Sequence, residues 1–185
     1  SNDNEEAEDN SVTSTELADA TTSGMSHQNR QKRRRLAMSF ATLAAKPWKR
    51  EKIVKEGAIP ALIDLSALSD GQIQRSCALA FAYLCKEPSI RGQIIREGAF
   101  AALVAMTQSH SRKVKADCCR AICNLCMENG FEFNAVRDGV TFAVVHVAAA
   151  HPDTIDVCLK TLLNLSHVAY PRLEELTDAL LHFNS

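Results

Sequence analysis

A seven-residue phrase recurs along the chain. Glu56-Gly57-Ala58-Ile59-Pro60-Ala61-Leu62 returns as Glu97-Gly98-Ala99-Phe100-Ala101-Ala102-Leu103, and in weakened form as Asp138-Gly139-Val140-Thr141-Phe142-Ala143-Val144. Gly57, Gly98 and Gly139 stand 41 residues apart each time. Self-similarity at a fixed period of this length identifies a helical solenoid, in which each unit buries its apolar face only against its neighbours. Composition agrees: hydrophobic residues make up 46% of the chain but aromatics only 5%, which suits close helix–helix packing better than a sandwich or barrel.

Within the clearest unit, Lys49–Glu56 reads as a short helix ended by Gly57, the residue that tolerates a left-handed terminator. Pro60 then opens a second helix to about Leu68. Ser69-Asp70-Gly71 supplies turn and N-cap chemistry, and Gln72–Cys85 is a long third helix with Ile73, Cys77, Ala80 and Leu84 at helical spacing. The next unit reads Gly92–Glu97, Phe100–Thr107 and Lys113–Cys126. The third reads Phe133–Arg137, Phe142–Ala150 and Thr154–Ser166, its long helix one residue nearer. Arg35–Ala44 aligns with the long helices as a partial unit before these. Leu173–Ser185 has the pattern of a short helix and the start of a second. The expectation is an all-α solenoid of about three full three-helix repeats with partial units at both ends.

Residues 1–30 are polar and carry Glu5, Glu6, Glu8, Asp9, Glu16 and Asp19. Such a segment buries too little surface to offset its chain entropy and is expected to be a disordered acidic leader. The solenoid is then expected to fill 31–185. Because the chain opens Ser1-Asn2 and stops in mid-repeat, the natural protein is expected to continue, or another surface to cover this end.

A net charge of −1 provides no global field toward nucleic acid or anionic membrane. No apolar run reaches the length of a membrane span, and no secretory signal is evident. Seven cysteines in a helical sequence of this kind favour a reducing compartment. A cytoplasmic location, or a nuclear one, is expected.

The Gly-Ala-Ile-Pro-x-Leu junction, the three-helix unit and the Asn-Leu near the end of the long helix resemble the armadillo repeat over about residues 32–185. The resemblance implies a right-handed superhelix whose third helices line a concave groove for extended peptides or proteins, without catalysis. In that family a third-helix asparagine faces the groove. The matching positions here are Thr42, Tyr83, Asn124 and Asn164. One turn earlier, receptors for basic localisation signals resemble one another in carrying tryptophan. Here those positions hold Met38, Leu79, Arg120 and Lys160, which argues against such a receptor and toward an acidic or phosphorylated peptide.

Candidate groove residues are therefore Arg120, Asn124, Lys160, Asn164, Tyr83 and Leu79. Arg120 and Lys160 each precede an asparagine by four residues, so each pair shares a helix face. The competing role of the asparagines is to tie adjacent helices. Lys32, Arg33, Arg34 and Arg35 form the strongest basic run: a localisation or nucleic-acid patch, the solvated start of the first long helix, or a stretch onto which the acidic leader folds back and masks the groove.

Zinc is not expected. Cys77, Cys118 and Cys158 are equivalent in the repeat, as are Cys85 and Cys126, so their recurrence reads as small core residues rather than convergent ligands. No catalytic triad, carboxylate pair or phosphate loop is present, and neither cofactor nor small-molecule substrate is expected. The reading is a non-enzymatic scaffold or adaptor for a protein or peptide partner. Alternatives are a transport adaptor using the basic run, or a component of a cytoskeletal or ciliary assembly self-associating end to end.

Overall fold

The computed structural model describes residues 14–166, with side-chain surroundings given from residue 27 onward. The chain divides into two compact units, Ser1–Arg33 and Arg34–Ser185. In the first, residues 14–33 are helical, as part of helix α1 (Ser14–Ala44). The helix thus begins well before the start expected from apolar spacing, and it includes residues 14–30, which composition alone assigns to a disordered leader. Adding residues to an existing helix costs far less than nucleating one, and periodicity does not register that difference. Residues 1–13 and the partial repeat at Leu173–Ser185 lie outside the described residues.

The second unit is a sequence of short and long helices repeated along the chain. After α1 comes a 3₁₀ turn (Pro47–Lys49), then α2 (Arg50–Lys55), α3 (Ala58–Ser66) and α4 (Gly71–Leu84). The next unit is α5 (Pro88–Arg96), α6 (Ala99–Met106) and α7 (Arg112–Leu125). The last comprises α8 (Glu132–Arg137), α9 (Val140–Ala150), a 3₁₀ turn (Pro152–Thr154) and α10 over residues 155–166. No strand occurs among the described residues.

The three register glycines do what the repeat predicts. Gly57, Gly98 and Gly139 have φ of 86°, 93° and 83°, a left-handed conformation that other residues adopt only at a cost. Each lets one helix end and the next begin in the following residue. Asp70 caps α4 by accepting from the backbone N–H of Gln72 and Ile73 at 3.0 and 3.2 Å. Helix α5 starts at Pro88, earlier than the expected Gly92, because proline's fixed φ is already helical at a first position.

Like helices stack on like: α4 against α7, α3 against α6, α6 against α9, and α2 against α5. Ile59, Leu62, Phe81, Leu84, Phe100, Leu103, Ile122 and Leu125 are fully buried between them. All seven cysteines are buried and unpaired, so the small recurring thiols are core residues. Burial pushes the thiols of Cys77 and Cys126 up to about 12. The residues at two equivalent positions of the third helices change along the stack. They are Ala37 and Ala41 on α1, Ala78 and Ala82 on α4, and Cys119 and Cys123 on α7, all buried. On α10 the same positions hold Leu159 and Leu163, 59% and 55% exposed.

Two polar devices hold successive units in register. Arg50 and Arg91, both buried, donate Nε to the carbonyls of Ala44 and Cys85 at 2.9 Å. On the other edge, Arg112 binds both carboxylate oxygens of Asp153, 41 positions later, through Nε at 3.1 and 3.2 Å. Ser89 donates to Glu51 at 2.7 Å.

Candidate functional site

The third helices α1, α4, α7 and α10 place equivalent residues on parallel lines. Met38, Leu79, Arg120 and Lys160 form one line, and Thr42, Tyr83, Asn124 and Asn164 the other, one helical turn on. All eight are exposed or half-buried, whereas Cys118, Cys119, Ile122 and Cys123 on the same α7 turns are buried. The repeat register read from the sequence therefore gathers the candidate residues on one solvent-facing wall.

Their individual circumstances differ. Arg120 is exposed but ion-paired with the buried Asp117 three residues earlier on the same helix, so it is not the free cation that spacing suggested. Lys160 is exposed and makes no ion pair among the described residues; Asp156, one turn before it, stays beyond pairing distance. The Asn164 Nδ2 donates to the Cys123 carbonyl at 3.5 Å, tying α10 to α7 across the repeat boundary. Asn124, half-buried, makes no side-chain hydrogen bond among the described residues and keeps its amide for other partners.

The first half of the wall is apolar. Met38, Ala41, Thr42, Ala45, Lys46, Ser76, Leu79 and Tyr83 line an open surface depression between α1 and α4. Arg35, Met38, Ser39, Thr42 and Leu43, all on α1, border a second open hollow that shares Met38 and Thr42 with it. The Lys86 ammonium stands 5.3 Å above the Tyr83 ring, a cation–π contact that keeps a positive charge at the rim. Met38 was read in the sequence only as a missing tryptophan, and Thr42 as a missing asparagine. Their exposed apolar surfaces, facing Leu79 and Tyr83, make the hollow.

The basic run divides. Lys32 and Arg33 are exposed residues of the first unit. Arg34, in the second, directs Nε and Nη2 onto Asp70 Oδ2 at 2.9 and 2.8 Å and is thereby part of the α4 cap. Arg35 is exposed and borders the hollow. Three of the four cations thus stay open to solvent while Arg34 serves the fold. No group of three or more metal-binding side chains gathers among the described residues. None of the described helices is long and apolar enough to cross a membrane.

Comparison with known proteins bears on the architecture. A family model, armadillo/beta-catenin-like repeat, matches residues 88–127, which is one full unit from α5 through α7. The fold is that of an armadillo-type solenoid. A designed armadillo repeat protein superposes on it with a TM-score of 0.68 at 19% identity, over 79% of this chain and 63% of that one. Another designed armadillo repeat protein, in complex with the peptide (KR)4, gives a TM-score of 0.64 at 19% identity over 77% of this chain and 66% of that one. Computationally designed armadillo repeat proteins for modular peptide recognition give 0.64 at 18% identity, over 84% and 60%. The chain thus spans less than two thirds of the length of each of these structures. No curated protein matches the sequence.

Proposed function

We propose that this armadillo solenoid is a non-enzymatic interaction scaffold that binds an extended acidic segment of a partner protein along its third-helix groove. The observation that carries the reading is Asn124, a half-buried amide with no partner among the described side chains, next on the wall to the exposed Lys160. An amide presents a donor and an acceptor, which matches the backbone of an extended peptide laid across the helices. Lys46, Lys86 and Lys160 then favour carboxylates on that peptide. The solved relatives include designed proteins for modular peptide recognition and one bound to a basic peptide. The wall here has the opposite charge preference. A reducing interior, cytoplasmic or nuclear, fits the seven unpaired thiols.

The test is retention of an acidic dodecapeptide pool on immobilised protein, against a lysine/arginine pool of the same length. Retention of the acidic pool is expected, with loss in the Asn124→Ala/Lys160→Glu double variant. Preference for the basic pool, or equal retention by the variant, would overturn the reading.

A second reading, packing through the ends of the solenoid, is supported by Val136. It is 60% exposed, whereas its equivalents Val54 and Ile95 are buried; Leu159 and Leu163 are 59% and 55% exposed. Self-association in sedimentation velocity that Leu159→Glu abolishes would support it, and a monomer at all concentrations would dismiss it.

A further inference from the structure

We infer that the groove takes a peptide with one apolar anchor side chain, seated between α1 and α4, and carboxylates on the flanking residues. This rests on the groove reading above and specifies what the groove selects. The seat is the open, shallow trough formed by Met38, Thr42, Leu79 and Tyr83 at the surface of the two third helices. Met38, 58% exposed, and the half-buried Leu79 and Tyr83 leave apolar surface open to solvent there.

The rim of the trough is positive. Arg35 borders its extension, Lys46 lines it directly, and Lys86 lies over the Tyr83 ring. Among the described residues no carboxylate lines either hollow. Asp70, which caps α4, is already occupied by Arg34, and Asp117 on α7, at the register position of Ser76, by Arg120. An uncharged or basic segment would leave these cations uncompensated. A hydrophobic side chain on an acidic segment satisfies both the apolar floor and the charged rim.

Geometry sets the distance to the second contact. Neighbouring third helices are spaced by about 8–10 Å, and an extended peptide advances about 3.3 Å per residue. Two helix spacings separate Leu79 on α4 from Lys160 on α10. A carboxylate roughly five or six residues from the anchor therefore reaches Lys160, passing the Asn124 amide on the way. Closer carboxylates, one or two residues from the anchor, meet Lys46 or Lys86. The groove so described is bipartite, with an apolar half and a polar half, and it discriminates by the spacing between them.

The test is selection of a random dodecapeptide phage library against the whole protein. It is repeated against Met38→Asp, which charges the floor, and Thr42→Trp, which fills the hollow without charge. Both positions are exposed, and matching melting curves establish that the variants fold. Enriched sequences are expected to carry an aliphatic or aromatic residue with Asp or Glu about five or six positions away. Synthetic peptides of those sequences should bind either variant at least about tenfold more weakly, as losing the burial of one aliphatic side chain predicts. Replacing the anchor by serine should do the same. Enriched acidic sequences with no apolar position, dependent on Lys160 and Asn124 but indifferent to Met38→Asp, would overturn the anchor and leave the groove reading intact. Basic sequences, or no enrichment at all, would overturn both.

Discussion

Arg50 and Arg91 make the same bond one unit apart: each buried guanidinium donates Nε at 2.9 Å to a carbonyl six residues back, Ala44 for one and Cys85 for the other. These carbonyls close third helices, where intrahelical donors run out. Arg91 adds Nη2 to the Lys86 carbonyl at 3.3 Å. Arg91→Met should therefore cost about 2–4 kcal/mol, the loss of a charged hydrogen bond plus a stranded carbonyl. Arg91→Lys should recover little, since an ammonium lacks the fork that reaches both carbonyls. Urea unfolding midpoints of the three proteins measure this, and a lysine variant as stable as the parent would refute the fork argument.

Gly98 should resist replacement for a purely backbone reason. A Cβ there meets nothing within 4 Å, yet its φ of 93° lies in the left-handed region. Gly98→Ala is expected to destabilise by about 1–2 kcal/mol, and Gly98→Asn by less, because asparagine tolerates this conformation better. Gly71, with a helical backbone and equally open space, should accept alanine without loss. Thermal melts of the three variants are sufficient to separate the cases.

The two groove asparagines should behave differently. Asn164→Ala removes the tie to Cys123 and should lower stability by about 0.5–1 kcal/mol, the range of a long neutral bond. Asn124→Ala should leave the melting temperature unchanged and reduce peptide retention. If both variants changed stability alike, Asn124 would have to be a structural amide as well.

Stability should fall at both ends of the pH scale. Burial tends to raise the Asp70 carboxyl, but the Arg34 bond and the N–H groups of Ile73 and Gln72 outweigh it and hold it below 3.8. Its contribution is thus complete above the unfolded value and lost as pH drops through the lower folded one. Cys77 and Cys126 act in the opposite sense, raised by burial from 9.0 to about 12. From pH 9 upward the unfolded chain sheds protons that the native state keeps, so stability declines until about pH 12. Urea midpoints in reducing buffer should trace both limbs. Arg34→Met should flatten the acid limb, and Cys77→Ala should shallow the alkaline one.

Cys119 and Leu159 offer a direct comparison of one register position in two settings. Cys119 is buried against α10, its sulfur 3.9 Å from that of Cys158. Cys119→Leu should overpack this contact and cost about 1–3 kcal/mol. Leu159→Ser, at an exposed position, should stay within about 0.5 kcal/mol. A tolerated leucine at 119 would mean that α7 and α10 are less closely fitted than the sulfur contact indicates.

The glycine register made most of the fold legible, because a left-handed residue, a cap and apolar spacing are all local signals. The extent of α1 was not, since residues 14–30 lack a stripe and join the helix by propagation. Arg50 and Arg91 carried a readable signal, an arginine repeated at the period of the glycines, but a charged residue in a helix does not announce that it is buried. On the third helices, the eight positions that the register aligns are all exposed or half-buried. The register did not show that Asp117 claims Arg120, that Asn164 is spent on Cys123, or that Met38 and Thr42 border a hollow. Those depend on side-chain reach between neighbouring helices, which spacing along one helix does not encode.

The change from alanine on α1 and α4 to cysteine on α7 has a consequence for any peptide lying in the groove. Side chains at the contact set how near two helix axes can come, so a contact built on alanine and one built on cysteine need not share one pitch. An extended peptide advances by a constant step. On the groove reading proposed above, unequal rungs would fit such a peptide in one alignment, whereas an array of identical repeats would let a monotonous peptide slip.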